Sequence, residues 1–386
     1  MKGHLLFIIG IFTCLLFHAC GSKTSSSHDS PAGNISQDSL SNDIAPRYAE
    51  GYKVTLRADS VRLLEIQEPA NPHAPIYQFA LVPKGKKVEA IPDDYQIINI
   101  PVDKVICMTM PQLAGFSMMN EYDKVTGTSN THRVQNEEWL KRLADGRVKK
   151  IGIEGNFDTE IVLAAQPDII FVSPNRRGGY EVLKEVGIPL IPYWAFKETS
   201  PLGLSEWIKV VGMFICQEDK ACRIFSDMEN KYNKLKATVA KVKHKPVVFS
   251  GEMRQGNWYI PGGKSFYARL FEDAGADYIF KDDPHTGGVL LDYETVYVKA
   301  HDAEYWRVMN AFKGNFTYQA LKDLNSNYTD FRAFREKKVV YCNLEYIPLY
   351  ENLPSSPHIL LEDMVKAFHP ELLPDHQSVY YQLLKE

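Results

Sequence analysis

The chain has 386 residues, a formal net charge of −4 at pH 7, 45% hydrophobic residues and 24% charged residues. Such a length and apolar content support a folded body large enough for two domains. The mildly acidic balance argues against a nucleic-acid binder, which needs a basic face.

A leader comes first. Lys2 gives a basic start, and Leu5 to Phe17 is a nearly unbroken apolar run, shorter than the roughly 20 residues of a spanning helix. His18-Ala19-Cys20-Gly21 follows, so residues 1–19 read as a secretory signal cut after the small Ala19. A cysteine just beyond that cut resembles the lipobox of bacterial lipoproteins and makes Cys20 the expected lipidation site. Phe17 and His18 are bulkier than usual there, and ordinary cleavage with an incidental Cys20 is the plain alternative. Losing Lys2 with the leader moves the net charge from −4 to −5. In the lipidated tether, residues 20–46, the stretch from Gly21 to Pro46 holds eight serines and no aromatic residue. Such a segment buries too little apolar surface to offset its ordering entropy, so a flexible arm is predicted.

Residues 47–100 alternate apolar and polar positions in "YKVTLRADSVRLLEI" and "IYQFALVPKG", which predicts a β-rich extension attached to the first lobe. From 101 to 218 strand-like "KVICM", "KVTGT", "IGIEG", "DIIFV" and "IPLIPYW" alternate with helical segments. That succession predicts an α/β lobe with a mostly parallel sheet covered on both faces. Between 219 and 245 the apolar positions Ile224, Met228, Tyr232, Leu235, Val239 and Val242 recur every three or four residues. They predict one rigid helix from Asp219 to Val242, about 36 Å long at ~1.5 Å per residue. After Pro246, residues 246–386 predict a second α/β lobe.

Two units repeat at an offset of 134 residues. Asp158-Thr159-Glu160 leads into "IVLAAQPDIIFV", and Asp292-Tyr293-Glu294 leads into "TVYVKAHDAEYWRV", with Asp168 and Asp302 at matching positions. Each reads as an Asp N-cap, an acidic first turn, a short helix and a buried strand. Two similar halves imply two lobes with a cleft between them, a layout that favours binding over chemistry.

Taken with "GIEGNFDTEIVLAAQPDIIFVSP", "VLKEVGIPLI" and "PGGKSFYARLFEDAGADYIFKD", the order of lipobox, α/β lobe, single long helix and second lobe resembles the helical-backbone class of ABC-transporter solute-binding proteins. The resemblance covers roughly residues 100–380. It implies two Rossmann-like lobes and a monomer that carries a metal chelate (iron siderophore, haem or cobalamin) to an ABC permease and its ATPase. It also implies that Glu160 and Glu294, one per lobe, are the carboxylates that pair with arginines of the permease. Locally, each glutamate is equally explained by its helix dipole.

Cleft walls are expected from the loops at 154–157, 173–180, 254–263 and 282–289. Arg176, Arg177 and Arg254 are candidate clamps for anionic ligand groups, because guanidinium pairs bidentately. Tyr180, Trp194, Trp258 and Tyr259 are candidate stacking residues, with core packing the plain alternative for any one of them. His285, in "DDPHTGG", is the one candidate axial ligand, against a solvated turn histidine. No metal-ligand spacing of histidines or cysteines occurs, and no cofactor or catalytic residue is expected. "PGGKS" has Trp258 where a phosphate-binding loop needs glycine, and no GxSxG elbow is present. Cys216 and Cys222 are open to pairing or to remaining packed thiols. The competing function class is a metal-cluster enzyme or metallochaperone on the same nitrogenase-like scaffold. Transport leads because the four core cysteines are scattered. The tryptophans lining the cobalamin binder's cleft fall here on Glu154, Ser173 and Gly288, which weakens the case for cobalamin.

Overall fold

The computed structural model describes residues 43–153, 155–174 and 180–386. Cys20, the tether up to Asn42, Glu154, Arg176 and Arg177 lie outside the described residues.

The extension forms a four-stranded sheet of Tyr52–Leu56 (β1), Arg62–Ile66 (β2), Tyr77–Pro83 (β3) and Gln96–Ile100 (β4), in that order. The first two pairings are antiparallel and the third is parallel. Period-two alternation splits its apolar residues between two faces. Leu64, Ile66, Phe79 and Leu81 join the core of the first lobe. Val61, Ala80 and Val82 face the other way, under Val88, Ile91 and Tyr95 of the β3–β4 connection. The extension therefore shares the first lobe's core.

In that lobe Val105–Cys107 (β5), Val125–Thr128 (β6) and Lys149–Lys150 (β7) run to one side. After the small hairpin Gly152–Ile153 (β8) and Asn156–Phe157 (β9), the chain returns through Ile169–Val172 (β10) and Leu190–Pro192 (β11). The order β11-β10-β5-β6-β7 is parallel throughout. It reverses direction between β5 and β10, and the crevice at the carboxyl ends of such strands is where ligands bind in open α/β sheets.

The second lobe repeats the plan with Val247–Ser250 (β12), Asp277–Tyr278 (β15), Tyr305–Asn310 (β17), Val339–Asn343 (β18) and Gln382–Leu383 (β19), in the order β15-β12-β17-β18-β19. Only the last pairing is antiparallel. A small antiparallel sheet of Glu252–Arg254 (β13), Asn257–Pro261 (β14) and Gly288–Leu291 (β16) stands at its cleft end. Two Rossmann-like α/β lobes are thus joined by one helix, Glu218–Val239, of 22 residues, about 33 Å long at ~1.5 Å per residue. Its first half buries Ala221, Cys222, Phe225 and Met228 in the first-lobe core, and Tyr232 and Val239 enter the second-lobe core. Phe225 takes the fully buried position, while Ile224, Leu235 and Val242 are only partly buried.

The repeated units fold alike. Asp158 caps the helix Thr159–Ala164 by accepting from the Ile161 amide at 3.0 Å, and Asp292 caps Tyr293–Ala300 through Thr295 at 2.6 Å. Val162 and Val296, also 134 residues apart, are the buried anchors of the two helices. Glu160 and Glu294 are exposed in the first turns.

Candidate functional site

Two adjoining cavities lie between the lobes. The one on the first-lobe side, about 400 Å³, is built at the carboxyl ends of that lobe's strands: Thr109–Pro111 after β5, Asn130, His132 and Arg133 after β6, Ser173 after β10, and Tyr193, Ala195 and Phe196 after β11. The second, about 410 Å³, adds Glu252, Arg254, Tyr259, Tyr267, Arg307 and Met309 of the other lobe. Pro111, Ala195, Phe196 and Tyr350 border both. Phe196 and Tyr350 come from opposite lobes and are 45% and 39% exposed. They are the exposed aromatic residues shared by the two cavities.

The charges in this cleft are not equivalent. Arg254 donates to Glu252 Oε1 at 3.1 Å and to the Met309 carbonyl at 3.2 Å, with its guanidinium 5.8 Å from the Tyr259 ring. Glu252 is fixed on its other oxygen by Asn310 at 3.0 Å. Lys197 pairs with Glu68 of the extension at 3.2 Å. Arg307 is only 4% exposed, yet among the described residues no carboxylate pairs with it. It donates to the Tyr381 hydroxyl, to Ser250 Oγ at 3.3 Å and to Met309 Sδ at 3.2 Å, and lies 3.7 Å from the Tyr267 ring centroid. A buried guanidinium held only by neutral groups is a strong anchor for an anion.

Glu198 also lines the cleft. It is 3% exposed and accepts from the amides of Glu50 and Gly51 at 2.9 and 3.0 Å and from the Trp207 indole at 2.8 Å. Burial lifts its carboxyl to about 7, against the downward pull of those three donors.

The residues singled out from sequence divide. Arg254 and Tyr259 line the cleft. Trp258 does not: it is fully buried, donates to the Ser250 carbonyl at 3.1 Å, and packs among Phe249, Trp306, Tyr328 and Phe331. Neighbours on a strand face opposite ways, so Tyr259 reaches the cleft and Trp258 fills the core. Trp194 is 5% exposed and packs in the first-lobe core beside Phe196, its indole N–H without a partner among the described residues. Tyr180 lies against Phe157, with ring centroids 5.5 Å apart, and lines a separate groove of about 550 Å³ beside the extension. His285 is held by Asp283 through both its amide and Nδ1 at 3.0 Å, as a turn residue beside Thr286–Gly288. The cleft is lined by Thr286, Gly287 and Gly288, not by the histidine. Gly288 lets the Tyr259 ring lie against the backbone of that turn, since a Cβ there would come within 2.0 Å of the ring and displace it. Arg133, Phe196, Tyr267, Arg307 and Tyr350 were not anticipated. Arg307 sits mid-strand and the others in segments without a recognisable signature.

The described cysteines are dispersed free thiols. Burial pushes Cys222 up to about 11, Cys342 up to about 12 and Cys107 higher still, which disfavours the thiolate that a metal cluster takes.

Residues 105–346 match the profile of the periplasmic binding protein family. The chain is 28% identical over 311 residues to an uncharacterized lipoprotein of Methanocaldococcus jannaschii, covering 78% of this chain and 73% of that one. Among solved structures it is similar to a periplasmic heme binding protein from Pseudomonas aeruginosa, with a TM-score of 0.56, 17% identity and coverage of 74% of this chain and 99% of the other. It is also similar to a possible iron-binding periplasmic solute-binding protein from Staphylococcus epidermidis, with a TM-score of 0.54, 15% identity and coverage of 70% and 99%. Two sheets reversing direction at a shared cleft, a single connecting helix and a profile match over most of the folded body lead to one conclusion: this chain belongs to the periplasmic binding protein family.

Proposed function

We propose that this protein is the lipid-anchored solute-binding component of an ABC importer, carrying an anionic metal chelate in the interlobe cleft. The observation that carries this reading is the buried Arg307 guanidinium, which has no carboxylate partner among the described residues and opens on a cavity walled by Phe196 and Tyr350. Aromatic walls suit a flat or aryl-bearing ligand, and an unpaired buried cation suits a carboxylate, catecholate or hydroxamate oxygen. Ferric siderophore and haem fit that chemistry. Cobalamin fits less well, since the resemblance implies that Ser173 and Gly288 stand where the cobalamin binder has tryptophan, and a side chain at Gly288 would have to displace the Tyr259 ring. A metal inside an organic chelate needs few protein ligands, in keeping with dispersed cysteines and a turn-bound His285.

A thermal-shift screen of the purified chain against haemin, ferric catecholates, ferric hydroxamates and cobalamins tests the cargo. A rise in melting temperature with one ferric chelate is expected, and a response to cobalamin alone would redirect the assignment. Anchoring through Cys20 on the periplasmic side is tested separately by detergent partition. Wild type should enter the detergent phase and Cys20→Ala the aqueous phase; equal aqueous recovery of both ends the lipoprotein reading.

A further inference from the structure

The helix Leu349–Asn352 and the turn Leu353–Ser355 belong to the second lobe in sequence but pack on the helix Met110–Met118 of the first. The two sides of this short segment do different things. Tyr350, Leu353 and Pro354 line the cargo cleft. Glu351, Asn352 and Ser355 face a second, smaller cavity of about 240 Å³, shared with Ser117, Asn136 and Trp139.

Glu351 is 6% exposed, and its carboxylate accepts from two backbone amides of the first lobe: Gln135 at 2.9 Å and Asn136 at 3.2 Å. Those amides immediately precede the helix Glu137–Ala144, which already has its own cap, since Asn136 Oδ1 accepts from the Trp139 amide at 3.1 Å. The carboxylate therefore adds a bond between lobes to a helix end that is capped without it. On the first-lobe side, the loop carrying Gln135 and Asn136 also carries His132 and Arg133, which line the cleft. Each half of the contact is thus within three residues of a cleft wall. A buried, charge-assisted pair that breaks leaves its carboxylate unsatisfied, so it resists partial opening.

We propose that Glu351 and the Gln135–Asn136 amides form a latch between the lobes, through which Tyr350 and Arg133 link cleft occupancy to lobe opening. The link to occupancy rests on the cleft being the cargo site; the latch itself does not.

Amide hydrogen exchange on the full chain, without added ligand, separates the two. In Glu351→Ala, exchange at Gln135 and Asn136 should accelerate on the order of tenfold or more. The acceleration should spread to Ala195–Lys197 and Leu349–Ser355, which both contribute lining residues to the cleft. Glu351→Gln keeps the side-chain volume but exchanges one acceptor oxygen for a donor, and should give a smaller change of the same pattern. It supplies the readout if the alanine variant folds poorly. Asn136→Ala removes the helix's own cap and should alter only residues 136–140. Acceleration confined to 135–138 in the Glu351 variants, or the wide pattern in Asn136→Ala, overturns the latch. With haemin and a ferric hydroxamate as probes, whichever binds should slow exchange at Gln135 and Asn136 in wild type. Binding that leaves those amides unchanged overturns the link, whereas failure of every probe to bind counts against the cargo assignment and leaves the ligand-free result standing.

Discussion

The Arg307 guanidinium lies over the Tyr267 ring at 3.7 Å from its centroid, with the Tyr381 ring 5.1 Å away on another side. Two aromatic rings and a hydroxyl hold this cation without neutralising it, and Arg307 is among the residues that line the cleft. Replacing it with an apolar residue of similar length should weaken an anionic cargo by about 2–5 kcal/mol and cost the fold less, because it removes an unpaired buried charge and the Tyr381 hydroxyl keeps its contacts with Tyr267 and Met309. Calorimetry and melting curves on Arg307→Met check both halves.

Trp258 and Tyr259 make a paired test of which face of β14 meets the cargo. Trp258→Ala opens a hole among Phe249, Trp306, Tyr328 and Phe331 and should lower stability by about 3–5 kcal/mol. Tyr259 is 43% exposed, so Tyr259→Ala should cost little stability and reduce cargo affinity. Denaturant melts separate the two; a mild effect at Trp258 would contradict its place in the core.

Glu198 predicts a pH dependence with a definite sign. Its carboxyl is lifted by burial to about 7 from an ordinary 4.5, so between those values the folded state holds a proton that the unfolded state has released. The stability this contributes is complete below about pH 4.5 and is lost as pH rises through about 7. Glu198→Gln should flatten this part of the stability profile. A wild-type profile that rises from pH 5 to 7 and keeps its shape in the variant would remove Glu198 as the cause.

Glu160 and Glu294 are exposed on equivalent helices that are capped by Asp158 and Asp292 rather than by the glutamates. If they grip a permease, the double alanine variant should fold and bind cargo normally while import collapses. If they serve only their helix dipoles, it should lose about 1–2 kcal/mol of stability and import as wild type. Uptake in cells, read beside a melting curve, distinguishes the outcomes.

The fold was legible because its signals are local and repeated. Asp158 and Asp292 announce two capped helices, the runs beginning at Ile169 and Tyr305 announce the strands that follow, and three- and four-residue spacing announces the linking helix. The site was only partly legible. Arg254 and the 286–288 turn carry loop signatures, but Arg307 sits inside a strand, where nothing in the sequence marks an arginine that lacks a carboxylate. Glu351 acts through contacts with residues more than 200 positions away, and Tyr350 lies beside it with no signature of its own. At Trp258-Tyr259 composition alone does not separate the two rings, and strand alternation decides which of them faces the cavity.

The most direct test of the central claim is a calorimetric titration of the purified chain with haemin, a ferric catecholate and a ferric hydroxamate, run on wild type and on Arg307→Met. One chelate should bind wild type at one per chain, and the variant should bind it at least about tenfold more weakly. Equal affinity in both proteins, or no saturable binding of any ferric chelate to wild type, would contradict an anionic metal chelate held in this cleft.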